Sequence, residues 1–203
     1  MRYILVILAL LPCLHSSAQD TALAGRLHRM YTTDQQARAA LNNMRTNNNG
    51  DSPEVKALIA NITAIDKENN AVLKGILKQY GFPGYKVAGI EGSDNFWLLA
   101  QHQDEDTAFQ NEVLALMKKA VDAKDATPSK YAMLVDRVLV NTGKKQLYGT
   151  QFILNREQNI FQPHPVEDSL SVNVRRAAMG LPTLEENLQQ MNEVYKNYLE
   201  QKK

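Results

Sequence analysis

The chain has 203 residues, with 23 Lys and Arg against 22 Asp and Glu and one cysteine, Cys13. Near-neutral charge without a basic block excludes the electrostatic footprint of a nucleic-acid or anionic-membrane binder. A single thiol excludes an internal disulfide framework.

The N-terminus reads as a secretory leader. Arg2 supplies the positive charge, Tyr3 to Pro12 is apolar, and Ser16 and Ala18 are the small residues for cleavage after Ala18. The apolar run is shorter than the roughly 20 residues a spanning helix needs. Leu10, three positions before Cys13, hints at lipid attachment, but Pro12 argues against it. The expectation is an exported soluble protein, periplasmic or secreted, with a leader at 1–18 and one domain at 19–203. Loss of Arg2 leaves basic and acidic residues equal in number.

Helical periodicity dominates the remainder. A first helix is predicted from about Asp20 to Arg45, with Leu23, Leu27, Met30, Tyr31, Leu41 and Met44 on one stripe. Asn47-Asn48-Asn49-Gly50 closes it, and Asp51-Ser52-Pro53 opens a second helix reaching Tyr80, where Gly81-Phe82-Pro83-Gly84 stops it. A loop from Tyr85 to Gly92 then leads to a short helix near Asp94–Gln103. Asp104 or Asp106 caps the next helix, which carries Phe109, Val113, Leu116, Met117 and Ala120. Thr127-Pro128 starts another, ending at Gly143 and central to the fold because Tyr131 to Val140 is apolar on every side except at Asp136-Arg137.

The period then becomes two. Gln146–Leu154 and Ile160–Val166 are predicted strands of a β-hairpin, with Pro163 and Pro165 confining the second to an edge. Helices at Ser171–Met179 and from Thr183 toward Glu200 close the chain. The predicted class is mainly α: a single helical, bundle-like domain with a small β-hairpin near the C-terminal third.

Polar residues interrupt the apolar stripes. In the first helix Tyr31, Asp34, Arg38 and Leu41 follow steps of three and four. In the second, Asn69 stands where a leucine belongs, four after Ile65 and three before Val72, with Asp66 on the flank. Asp34 and Arg38 are also spaced as an i,i+4 ion pair, worth a few tenths of a kcal/mol on a surface. Asp136 and Arg137 point about a hundred degrees apart on a helix, so each needs its own partner. Burying such groups is costly unless they pair, so an inward-facing polar cluster is implied.

His102 is the best general acid or base available, and Asp104 or Asp106 is placed in sequence to orient it. Arg38 and Arg137 suit an anionic group. Tyr148, Gly149, Thr150 and Gln151 place hydroxyls and an amide around a glycine that suggests a bulge. Arg175-Arg176 either receives an anion, caps a neighbouring helix or faces solvent. His28 and His164 lie outside any zinc spacing, so no metal is expected, and no motif implies a cofactor. Phosphate loops, nucleophile elbows, HExxH and CxxC are absent from the sequence.

Three readings follow. The first is an enzyme, a hydrolase or transferase acting on a small polar or anionic substrate. Its catalytic residues would be His102, Asp104 and Asp136, and its ligand-binding residues Asp34, Arg38, Asp66, Asn69, Gln101, Arg137, Tyr148, Thr150 and Gln151. The second is a binding module using the same groups without chemistry. The third is a structural envelope protein whose polar network specifies the fold. No pattern fixes an oligomeric state.

In order along the chain stand Asp34-Gln35-x-x-Arg38, Asp66-x-x-Asn69, Gly81-Phe82-Pro83 and Trp97-Leu98-Leu99-x-Gln101-His102-x-Asp104. They are followed by Phe109-Gln110, Asp136-Arg137, Gln146-x-Tyr148-Gly149-Thr150-Gln151 and Arg175-Arg176-x-x-x-Gly180-Leu181. Together these resemble a bacterial domain-of-unknown-function family frequent in exported proteins of the Bacteroidetes type. The family pattern often has Trp at the place of Phe82. The resemblance implies no established activity. It implies that the stripe-breaking residues form a shared signature consistent with a common site.

Overall fold

Asp20 accepts a hydrogen bond at 2.9 Å from the Leu23 amide and so starts α1 (Thr21–Asn47). Ser52 likewise accepts from Val55 N–H at 3.3 Å and, with Pro53 in the first turn, starts α2 (Pro53–Tyr80). The computed structural model describes residues 19–47 and 52–201. The expected leader at 1–18 with Cys13, and the predicted turn at 48–51, lie outside the described residues. The hydroxyl of Tyr80, at the end of α2, donates to Asp20, at the start of α1, at 2.8 Å, so the two long helices run antiparallel.

α3 (Tyr85–Gln101) corrects one expectation. The stretch from Tyr85 to Gly92 is helical rather than a loop, and continues through a kink at Gly89 (φ +71°). Glycine absorbs the left-handed conformation there, so two short helical pieces join as one element. Asp106, not Asp104, caps α4 (Thr107–Asp122), accepting from Phe109 N–H at 3.0 Å. Pro128 starts α5 (Pro128–Asn141). None of residues 131–140 is exposed, as an apolar surface on every side requires.

Helices α1 to α5 share one apolar core that includes Leu27, Leu73, Phe96, Leu99, Val113 and Leu134. A second, smaller cluster joins Leu41 of α1 to Val55 and Ile62 of α2. Asp34, Arg38, Asp66 and Asn69 fall between these clusters along α1 and α2. The polar interruptions therefore mark a gap between two dry regions.

The hairpin is shorter than its alternation predicts. β1 (Phe152–Asn155) pairs antiparallel with β2 (Ile160–Pro163), Phe152 opposite Pro163 and Asn155 opposite Ile160. Residues 146–151 form no ladder beyond a single bridge from Gln146 to Val166, because side chains have taken their amides, as described below. A 3-10 turn at Ser169–Ser171 leads into α6 (Val172–Ala178). A capping box of Thr183 and Glu186 starts α7 (Leu184–Glu200). The Asn192 amide of α7 bonds both N–H (2.6 Å) and C=O (3.2 Å) of Phe161, covering the free edge of β2. The fold is mainly α with a small two-stranded sheet in the C-terminal third. Among the described residues no helix is long and apolar enough to cross a membrane.

Candidate functional site

Asp34 sits in the middle of α1 with 1% of its surface exposed. Its carboxylate accepts from Gln35 Nε2 at 2.7 Å and from Arg38 Nε at 3.0 Å, and lies 3.0 and 3.1 Å from Nδ1 of His102. His102 follows the last turn of α3, with 12% of its side chain exposed. An ionised carboxylate can only accept, so Nδ1 carries the proton and the lone pair of a neutral ring lies on Nε2. Among the described residues no hydrogen bond engages Nε2.

The guanidinium of Arg38 also donates from Nη2 to Asp66 Oδ1 at 2.6 Å, so one cation from α1 serves two carboxylates. Their surroundings drive them apart. Burial pushes the Asp34 carboxyl upward, but the hydrogen bond and charge of His102, with Gln35 and Arg38, outweigh it and hold Asp34 below its ordinary value. Burial raises Asp66 above its ordinary value; the Arg38 interaction opposes this and the charge of Asp34 adds to it.

These groups border an open cleft of about 570 Å³ between α2 and the α3–α4 turn. Its lining is Arg38, Thr63, Asp66, Lys67 and Asn70 on one side, and His102, Gln103, Asp104, Glu105 and Asp106 on the other. Each of these ten side chains is polar or charged. Across the cleft Asp104 grips Arg137 through two hydrogen bonds, Nε to Oδ1 at 2.7 Å and Nη2 to Oδ2 at 2.5 Å, and accepts from Asn141 at 2.8 Å. Burial raises the Asp104 carboxyl, but Arg137 outweighs it and the group lies below its ordinary value. Asp106 pairs with Lys74 at 2.5 Å, and that bond is the main cause of its lowered value.

The carboxylate against His102 is thus Asp34, from a distant helix, rather than Asp104 or Asp106. The chain reverses after His102 to begin α4, which sends Asp104 toward α5 and Asp106 toward α2. Gln101 contributes its backbone carbonyl, which accepts from Gln110 at 3.1 Å. Asn69 is buried in α2, and among the described residues its Nδ2 has no hydrogen-bond partner. Trp97 turns away, its Nε1 donating to the Lys130 carbonyl at 2.8 Å.

Asp136, Tyr148, Thr150 and Gln151 belong elsewhere, and none lines the cleft. Asp136 is wholly buried and accepts from the amides of Leu147 (2.7 Å), Tyr148 (3.0 Å) and Thr150 (2.9 Å) and from the Thr150 hydroxyl (2.9 Å). The carbonyls of the same loop face cations. Arg175 donates to Leu147 at 2.7 Å, and the fully buried Arg176 donates to Tyr148 (2.7 Å), Gly149 (3.1 Å), Pro182 (2.6 Å) and Asn187 (2.9 Å). Gln146 closes the loop, its amide bonding Gln151 N–H at 2.9 Å and the carbonyls of Gln151 and His164 at 3.0 and 2.8 Å. This is a polar clasp that replaces strand pairing between an anion and two cations. Asp136 has no capacity left for catalysis, and neither arginine faces solvent as a free anion receptor.

Sequence reasoning missed Thr63, Lys67, Asn70, Gln103 and Glu105 as cleft residues. Nothing distinguishes them locally, since each reads as an ordinary helix or loop polar residue. Among the described residues no group of three or more His, Cys, Asp or Glu side chains is placed to hold a metal ion.

Comparison with protein families matches residues 22–200 to DUF6624, described as a family of unknown function. No curated protein and no solved structure matches the chain.

Proposed function

Since the chain belongs to the DUF6624 family, which brings no activity with it, we propose from the site that it is a hydrolase, or a transferase of the same chemistry, acting on a small polar substrate. His102 is its general base and Asp34 the residue that positions the imidazole. We also propose that residues 1–18 are an export leader ahead of one domain, so that the protein works in the periplasm or outside the cell.

One observation carries the reading. A histidine bordering an open cleft lined by polar and charged residues has Nδ1 held at 3.0 Å by a buried carboxylate, and among the described residues its Nε2 makes no hydrogen bond. That is the arrangement a water-activating base requires: fixed tautomer, fixed ring, free lone pair. Among the described residues no hydroxyl or thiol bonds His102, which favours direct activation of water over a covalent intermediate. The substrate is polar rather than strongly anionic, because Arg38 and Arg137 are already engaged by carboxylates. Asn69, Gln101 and Arg137 support the walls rather than line the cleft.

The test is turnover of a panel of polar esters, amides and glycosides by the protein, His102→Gln and Asp34→Asn. A general base supplies about 10²–10⁴-fold, so His102→Gln loses at least 100-fold. Turnover that survives both substitutions overturns the reading. A second reading, ligand binding without chemistry, is favoured by the same polar lining, and holds if a captured ligand is released unchanged by the unsubstituted protein.

A further inference from the structure

Arg38 bridges two carboxylates that differ in every other respect. Asp34 has three donors around it and almost no solvent contact; Asp66 has, among the described residues, Arg38 alone, and lines the cleft. One guanidinium cannot neutralise both, and the anion with more donors keeps its charge at the expense of the other. Asp34 has those donors from His102, Gln35 and Arg38. Asp66 and His102 open onto the same cleft, one from α2 and one from the end of α3.

We propose that Asp66 is the general acid of this cleft, giving its proton to the leaving group while His102 takes one from the attacking water. The assignment rests on the reading of His102 as the base. The upward push on Asp66 from burial and from the Asp34 charge supports it, since acid and base roles go to titratable groups whose environments differ. The charged groups facing Asp66 are Arg38 and Asp34 from α1 and His102 from α3, with Lys67 beside it on α2 and Asp104, Glu105 and Asp106 across the cleft. In the step, a water proton passes to Nε2 as the water oxygen bonds the reacting carbon. The bond to the leaving group breaks and that group takes the Asp66 proton. The sum is addition of one water, and solvent returns the proton from His102 to Asp66. A built-in acid is needed only where the leaving group is strongly basic. The substrate class is therefore a polar molecule that loses an alkoxide or an amine, not an activated ester.

The experiment compares two esters of one acyl group: p-nitrophenyl acetate, whose nitrophenolate leaves unaided, and ethyl acetate, whose ethoxide needs a proton. Asp66→Asn is expected to lower kcat/KM for ethyl acetate by about 100-fold or more and to abolish the alkaline fall of its pH profile. Its effect on p-nitrophenyl acetate stays within about threefold, a leaving group of that kind needing no acid. His102→Gln lowers both, and Asp66→Glu restores part of the ethyl acetate rate with a displaced alkaline limb. Equal losses on both esters with Asp66→Asn would make Asp66 a mere support for Arg38 and overturn the assignment, as would unchanged rates on both. His102→Gln without effect on either, or no turnover of either by the unsubstituted protein, overturns the hydrolase reading itself. If Asp66→Asn fails to fold, the Asp66→Glu profile decides, and an unmoved alkaline limb refutes the role.

Discussion

Nδ1 of His102 lies 3.0 Å from the carboxylate of Asp34 although 68 positions separate them in the chain. The carboxylate is buried at mid-helix in α1, and the imidazole hangs at the end of α3 where the backbone turns away. The pair links the end of one dry cluster to the wall of the polar cleft. Its two members do not contribute equally.

Asp34→Ala takes the shared acceptor from Gln35 and His102 and leaves Arg38 with Asp66 alone, whereas His102→Ala leaves Asp34 with two donors. Removing one side of a buried ion pair costs about 3–5 kcal/mol, and the partial exposure of Arg38 puts Asp34→Ala near the lower end. His102→Ala should cost about 1 kcal/mol, the scale of one hydrogen bond. Urea denaturation of both variants checks this, and equal losses would contradict it.

Acid should destabilise the protein through Asp34 and Asp104. Both carboxyls lie below the ordinary aspartate value of 3.8 in the folded chain. The unfolded state therefore binds protons first as pH falls. The stability they contribute is fully present above 3.8 and disappears as pH drops through their lower folded values. Urea midpoints between pH 6 and pH 2 should decline mainly below that value. In Asp104→Asn the decline should be shallower.

Asp136→Ala should be among the most destabilising substitutions while sparing the chemistry. It leaves three loop amides and a hydroxyl without their acceptor, and deprives the buried Arg176 of its nearby anion. An unsatisfied buried donor costs about 1–3 kcal/mol, so a loss above about 3 kcal/mol is expected. At a temperature where the variant is folded, its kcat should match that of the unsubstituted protein. A large fall in kcat with unchanged stability would return Asp136 to the active site.

Gly149→Ala tests the clasp from the backbone side. Gly149 has φ +67°, and an added Cβ would meet Leu184 Cδ1 at 2.9 Å. The left-handed conformation costs about 1–2 kcal/mol for a residue with a side chain. The contact is with the flexible end of a leucine, which can turn aside. Adding Leu184→Ala should therefore recover little of the loss, as a double-substitution cycle would show.

Most helix ends were legible because capping chemistry acts within one turn. Ser52, Asp106 and Thr183 each satisfy an amide three residues ahead, and that spacing is visible in the residues alone. Gly89 reads as a loop residue because a glycine at a kink and a glycine in a loop look alike from sequence. The hairpin reads longer than it is for a different reason. Residues 146–151 alternate as a strand should, yet their amides bond Asp136 and Gln146 instead of a neighbouring strand. Alternation reports which side chains face inward, not what the backbone meets.

The candidate site divides in the same way. The interruptions at Asp34, Arg38, Asp66 and Asn69 stood out in the sequence because a polar side chain on an apolar stripe must be buried or paired. Asp136 and Arg137 stand out equally, and the sequence reading places all of them in one cluster. Tertiary packing separated them into a cleft around His102 and a closed clasp around Asp136. Burial is set by the hydrophobic period, which one strand of residues carries by itself. Partners are set by which helices meet, and the bonds that matter here span 14, 28, 33 and 68 positions. A charge needs the opposite charge at about 3 Å, and only the folded chain decides which one arrives.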